Sequence, residues 1–229
     1  DWLEGLEGKS MLLELAETMR IQAMLFQHSI YFQKEADLEH LARRYLDSLK
    51  RELVSELGQP VRADLDAFDE ALETMRHGHV LGHVVATGVG GGSVPAVARA
   101  YFDAHKQHGR DVWVADRFRS VDIAQVRRNL EHAGLLDGRV HLLEGDPAAT
   151  LPEAPVDRVA VLHVGAGTGP DVAAVLEAVY PRLAPGGVVV VERASDRAVR
   201  ASIDAFRAAH GITEAETTVA STATTWRRR

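Results

Sequence analysis

The stretch from His83 to Asp116 constrains this chain more than any other. Val84-Val85-Ala86-Thr87 reads as a short strand, and Gly88-Val89-Gly90-Gly91-Gly92-Ser93 follows it directly. A helical pattern then begins, with Val94, Val97, Ala98, Tyr101 and Phe102 on one face. Four glycines in five positions are more than a tight turn requires. They let the backbone approach a ligand closely, and the next helix offers free N–H groups and the positive end of its dipole. The run Val112-Trp113-Val114-Ala115 is a second strand, delivering Asp116 to the same sheet edge, where a carboxylate can accept both hydroxyls of a ribose. The ligand expected here is built on an adenosine.

The flanking segments extend the same alternation. Upstream, Leu12, Leu15, Met19, Ala23, Phe26 and Ile30 mark an amphipathic helix over 10–33. Leu38, Leu41, Tyr45, Leu49 and Leu53 mark a second, and Leu65, Phe68, Leu72 and Met75 a third that ends at Gly78. We therefore divide the chain into an N-terminal helical arm or cap over 1–78 and a sheet domain over 79–229. The arm is expected to meet another subunit or to cover a pocket, with simple packing on its own domain as the alternative. Downstream, strands are expected over 140–143, 159–164 and 188–191, the last after a tight turn at Pro185-Gly186-Gly187, with helices between them. Continuous valine runs are the pattern of parallel strands buried on both faces, and 46% hydrophobic residues supply such a core. The Thr- and Val-rich C-terminal stretch reads as a closing hairpin.

A formal charge of −7 argues against a general nucleic-acid binder, and the absence of cysteine excludes disulfides, thiolate metal sites and thiol nucleophiles. No apolar run reaches membrane-spanning length and no signal-peptide pattern is seen, so a cytoplasmic protein without membrane contact is expected.

Several segments in matching order resemble the macrocin O-methyltransferase (TylF-like) family from about Leu38 to the C-terminus. They include Arg44-Tyr45-Leu46-Asp47-Ser48-Leu49-Lys50-Arg51, Thr87-Gly88-Val89, Val112-Trp113-Val114-Ala115-Asp116 with Phe118, and Gly134-Leu135-Leu136-Asp137. Thr150-Leu151-Pro152, Tyr180-Pro181-Arg182-Leu183-Ala184-Pro185-Gly186-Gly187, His210-Gly211-Ile212-Thr213 and Trp226-Arg227 complete the set. The resemblance implies an α/β, Rossmann-like class I methyltransferase fold: a seven-stranded, mostly parallel sheet with helices on both faces and an N-terminal helical arm. It also implies S-adenosylmethionine (SAM), with S-adenosylhomocysteine as product, over Gly88 to Gly92, the ribose on Asp116 and the adenine near Asp146. The family places carboxylates for Mg²⁺ after its fourth and fifth strands. Here those segments read Gly165-Ala166-Gly167-Thr168-Gly169 and Glu192-Arg193, so no metal is expected. The acid usual after the first strand is Ala86, and only Arg117 to Asp122 stand where the family has a longer lid segment.

The candidate cofactor-binding residues are Thr87, Gly88, Val89, Gly90, Gly91, Gly92, Ser93, Asp116, Arg117, Phe118, Gly145, Asp146 and His163; Gly165, Glu192 and Arg193 are candidates for substrate contact. His163, near the C-terminal end of its strand, is a candidate proton acceptor, as is His28 of the arm, although a hydrogen-bonded core histidine is the commoner arrangement. Asp146 in Gly-Asp-Pro is equally a helix start, and Glu192 with Arg193 is equally a local ion pair. His77, His79 and His83 precede the first strand, at the end of the sheet away from the ligand edge, and are read as a coincidence. The function expected is a SAM-dependent O-methyltransferase that tailors a sugar or polyketide hydroxyl of a small secondary metabolite without Mg²⁺, as a homo-oligomer joined through the N-terminal helices. The alternatives are a methyltransferase fold turned to a non-methylating step such as a cyclisation, and a non-catalytic partner subunit.

Overall fold

A computed structural model describes residues 35–57, 62–219 and 222–229. The helix expected over 10–33, and His28 with it, lies outside the described residues. The elements run α1 (Glu35–Leu57), α2 (Arg62–His77), β1 (His83–Thr87), α3 (Ser93–Ala104), β2 (Val112–Asp116), α4 (Ile123–His132) and β3 (Val140–Glu144). They continue with α5 (Pro147–Glu153), β4 (Val159–Val164), a 3₁₀ segment (Ala166–Asp171), α6 (Val172–Val179), β5 (Leu183–Val191), α7 (Arg197–Ala209), β6 (Thr217–Val219) and β7 (Ala223–Arg227). The seven strands form one sheet in the order β3-β2-β1-β4-β5-β7-β6, parallel except for the C-terminal hairpin. This is the α/β, Rossmann-like arrangement with its order reversal between β1 and β4, and ligands of such sheets bind outside the carboxyl ends of the strands.

Both faces of the sheet are covered, which is why its strands are valine runs. Side chains alternate across a strand, so Val84 and Ala86 of β1 and Val188 and Val190 of β5 enter one core, while Val85, Val189 and Val191 enter the other. The first core is closed by α1, α2, α3 and α4, the second by α5, α6 and α7. Ala42, Tyr45, Leu46 and Leu49 of α1, and Leu65, Phe68, Leu72 and Met75 of α2, are buried in the first core with Tyr101 and Phe102 of α3. Of the two described helices of the arm, α2 packs against the sheet at β4, β5 and β7, and α1 packs on α3 and α2. The glycine pair near the start of β5 also differs from expectation: it is an irregularity inside a longer strand. Leu183 pairs with Val159 and Val188 with Val161, and Gly186 takes a positive φ of 79° where its N–H donates to the Arg228 carbonyl. Among the described residues no helix is long and apolar enough to cross a membrane.

Candidate active site

The glycine turn lies at the carboxyl end of β1 and adopts the backbone its sequence anticipates. Gly88, Gly90 and Gly92 have φ of 64°, 53° and 96°, values that side-chain-bearing residues rarely take, and Gly92 is the N-cap of α3. A Cβ at Gly90 would meet nothing within 4 Å, so the outer side of the turn is open. Asn129 of α4 braces it by donating its Nδ2–H to the Gly91 carbonyl at 2.9 Å.

Register carries Asp116 to the turn. Thr87 pairs with Ala115, which leaves Asp116 one step beyond β1 and level with the glycines. Its Oδ2 accepts the Val89 N–H at 2.9 Å and its Oδ1 accepts the Phe118 N–H at 3.0 Å. The acid and the turn are therefore one unit, and each carboxylate oxygen keeps a lone pair for a hydroxyl. An open glycine turn beside a fixed carboxylate fits an adenosyl ligand. Phe118 has a φ of 48° and is buried in the first core, while Ser93 is buried at the start of α3.

Arg117 reaches the other way. Its Nη2 donates to Asp146 Oδ2 at 2.5 Å and its Nη1 to Asp171 Oδ2 at 2.7 Å, joining the loops after β2, β3 and β4. Asp146 also caps α5 by accepting the Ala148 N–H. The Arg117 hydrogen bond, then the helix cap, holds the Asp146 carboxyl below its usual range. Gly145, with a φ of 141°, donates its N–H to the Asp116 carbonyl and so ties β3 to β2 at this edge.

The loop after β4 is packed against the glycine turn. The Gly165 N–H donates to the Thr87 carbonyl at 2.8 Å, and the Thr87 and Thr168 hydroxyls share a hydrogen bond of 2.9 Å. A Cβ at Gly165 would stand 2.5 Å from the Gly88 carbonyl oxygen, and one at Gly88 would stand 2.6 Å from Thr168 N. No side chain of any kind fits at 165. Beyond it, Glu192 spans β4 and β5: Oε1 pairs with His163 Nε2 at 2.8 Å, and Oε2 accepts the Ala166 N–H at 2.7 Å. Arg193 turns away at a φ of 52° to pair with Asp196 at 2.5 Å.

These contacts show where several of the expected side chains lie. The expected proton acceptor His163 has no exposed surface, and Phe68 of α2 meets its ring edge-on at 5.2 Å. It belongs to the core and reaches the edge of the sheet only through Glu192. Glu192 and Arg193 do not pair with each other. His83 Nδ1 accepts the Asp111 N–H at the far end of the sheet, in a structural role. The donor set where the family keeps its divalent ion does not fit Mg²⁺: a single carboxylate, Glu192, and a glycine with no space for a side chain. Sequence reasoning missed Thr168, Asp171 and Phe68. An acid two residues beyond a glycine run, at the start of a helix, was the available signal for Asp171. A cavity of about 550 Å³, lined by residues including Ala71, Val188, Thr225 and Arg227, lies between α2, β5 and β7, away from the glycine turn.

Residues 61–124 and 119–228 match the family described as Macrocin-O-methyltransferase (TylF). The chain is 32% identical over 188 residues to 8-demethyl-8-(2,3-dimethoxy-alpha-L-rhamnosyl)-tetracenomycin-C 4'-O-methyltransferase of Streptomyces olivaceus, covering 71% of this chain and 72% of that protein. It is 30% identical over 191 residues to Mycinamicin III 3''-O-methyltransferase of Micromonospora griseorubida, covering 72% and 75%. Among solved structures it is similar to the O-methyltransferase NovP, with a TM-score of 0.75 and 25% identity over 82% of this chain and 99% of that one.

Proposed function

Because the chain belongs to the macrocin-O-methyltransferase (TylF) family and carries a methyltransferase fold, we propose that it moves the methyl group of SAM to a hydroxyl of a small natural product without a divalent ion. The observation that carries this reading is the contact between Asp116 and the Val89 N–H, which builds the two halves of an adenosyl site into one unit. The relatives named for a rhamnosyl-bearing tetracenomycin and for mycinamicin III support a glycosylated acceptor.

Thr87, the turn from Gly88 to Ser93, Asp116, Gly145 and Asp146 would hold SAM, whose sulfonium supplies the methyl group. Methyl transfer to oxygen is an in-line displacement, so fixing donor and acceptor in one line provides much of the acceleration. We assign proton acceptance to Glu192, the carboxylate between β4 and β5, and a positioning role to His163, which holds one of its oxygens. Isothermal calorimetry and a methylation assay test this together. SAM is expected to bind the wild type, and Asp116→Ala is expected to lose that binding. Product formation is expected to be unchanged by EDTA and to drop about a hundredfold in Glu192→Gln. Inhibition by EDTA, restored by Mg²⁺, would overturn the metal-free reading.

One observation favours a second reading. At the sheet edge Asp116 already holds the Val89 and Phe118 N–H groups, Arg117 pairs with Asp146 and Asp171, and Thr168 pairs with Thr87, an arrangement that a repurposed or non-catalytic methyltransferase fold would keep. Absence of heat with both SAM and S-adenosylhomocysteine would favour it.

A further inference from the structure

Three helices converge at the far end of α3, away from the glycine turn. Glu39 comes from α1, Glu73 from α2, and His105 is the C-cap of α3. One oxygen of each glutamate is taken by Arg76, whose Nη2 donates to Glu39 Oε1 and to Glu73 Oε2, both at 2.7 Å. The remaining oxygens face the His105 ring: Glu39 Oε2 lies 3.6 Å from Nδ1, and Glu73 Oε1 lies 3.8 Å from Nε2.

The histidine is what makes this more than an acidic cluster. Its side chain is 5% exposed, and Nε2 is buried without a hydrogen-bond partner. Tyr101 covers one side of the ring at 4.3 Å. A buried imidazole nitrogen with no partner is costly, and a cation shared with its neighbours would offset that cost. Nε2, buried with no partner, can offer its lone pair to such an ion. The separations are too long for hydrogen bonds. One ion can take only one of the two ring nitrogens: with Nε2 as ligand, the 3.8 Å to Glu73 Oε1 is near the roughly 3.3 Å between two ligands on one tetrahedral ion with bonds of about 2.0–2.1 Å, and Glu39 approaches from the Nδ1 side. Donor atoms of all three residues lie within 4.8 Å of one another.

We propose that Glu39, Glu73 and His105 form a binding site for a divalent cation of the zinc class, with solvent completing the coordination and Arg76 orienting both carboxylates. Two carboxylates and one neutral imidazole suit Zn²⁺ or Co²⁺ better than Mg²⁺, which prefers all-oxygen octahedral ligation. The site would be structural: it pins α1 and α2 to α3, at a distance of roughly 18 Å, the length of a 12-residue helix, from the turn at that helix's other end.

Titration of the whole protein with Co²⁺, read by visible absorption, tests the site. One equivalent is expected to give the bands of a four- or five-coordinate ion, and Zn²⁺ to abolish them by displacement. His105→Gln is expected to lose the bands and to weaken Zn²⁺ binding by about a hundredfold or more. Glu39→Gln, on the half-buried α1 ligand, retains a hydrogen-bond acceptor for Arg76 and guards against a folding defect; it should give the same loss. His77→Gln, at an exposed histidine beside Glu73, should keep the bands. No bands in the wild type, or bands that survive in His105→Gln and Glu39→Gln, would overturn the proposal.

Discussion

At the scale of single residues, the site is decided by where a side chain fits. Gly165 has an extended backbone that any residue can adopt, with φ of −78° and ψ of 166°, so only space excludes a carboxylate there. The Gly88 carbonyl lies 2.5 Å from the position of a Cβ. Gly165→Asp is therefore expected to cost about 1–3 kcal/mol in urea denaturation and to leave methyl transfer insensitive to Mg²⁺. The contact between the two loops thus leaves no room for a carboxylate at 165. Asp137 shows the opposite case, a residue whose surroundings demand a charge. Arg99 donates to it from Nε and from Nη2, the latter at 2.6 Å, and this holds the Asp137 carboxyl far below the usual carboxylate range. A depressed folded-state pKa stabilises above the unfolded value of about 3.9 and is lost as pH falls toward the folded value. Melting temperature measured against pH should thus fall less steeply below about pH 4 in Asp137→Asn than in the wild type.

At the scale of elements, α2 matters most for the site. It was legible as a helix from Leu65, Phe68, Leu72 and Met75, but its partner was not, because an apolar stripe states that a face is buried without stating against what. The structure places that stripe in the first core and brings Phe68 edge-on to His163. His163 in turn holds Glu192, and Glu192 holds the Ala166 N–H. Through these contacts α2 backs the loop after β4. Phe68→Ala should cost about 3–5 kcal/mol in denaturant unfolding, as a buried phenylalanine removed from a filled core does. Its kcat should fall at temperatures where the variant remains folded, whereas Phe206→Ala, in the other core, should lose comparable stability with kcat retained. Equal loss of kcat in both would remove the link through His163.

At the scale of the whole molecule, the sheet was legible because it follows from a local pattern, continuous valine runs between helical stretches, and the proposed adenosyl half of the site rests on signals of the same local kind, a glycine turn and an acid that register carries to it. What the sequence concealed depends on residues far apart in the chain. The Arg117 clasp joins positions 117, 146 and 171, and the Glu39, Glu73 and His105 cluster draws on three helices with no spacing motif. No periodicity encodes a contact of that kind, since each residue is ordinary on its own element. The two ends of α3 consequently separate two proposed sites, that for methyl transfer at its N-terminus and that for a cation at its C-terminus. A chelator should therefore act on one and not on the other. Incubation with EDTA is expected to leave the initial rate of methyl transfer unchanged at 25 °C, while the melting temperature drops to that of His105→Gln. Readdition of Zn²⁺ at about a hundredfold excess over its Kd should restore roughly 5–10 °C. A fall in rate with the melting temperature unmoved would place the ion at the sheet edge and contradict both assignments. A fall in both that His105→Gln reproduces would mean that the helical end of the molecule governs the geometry of the other.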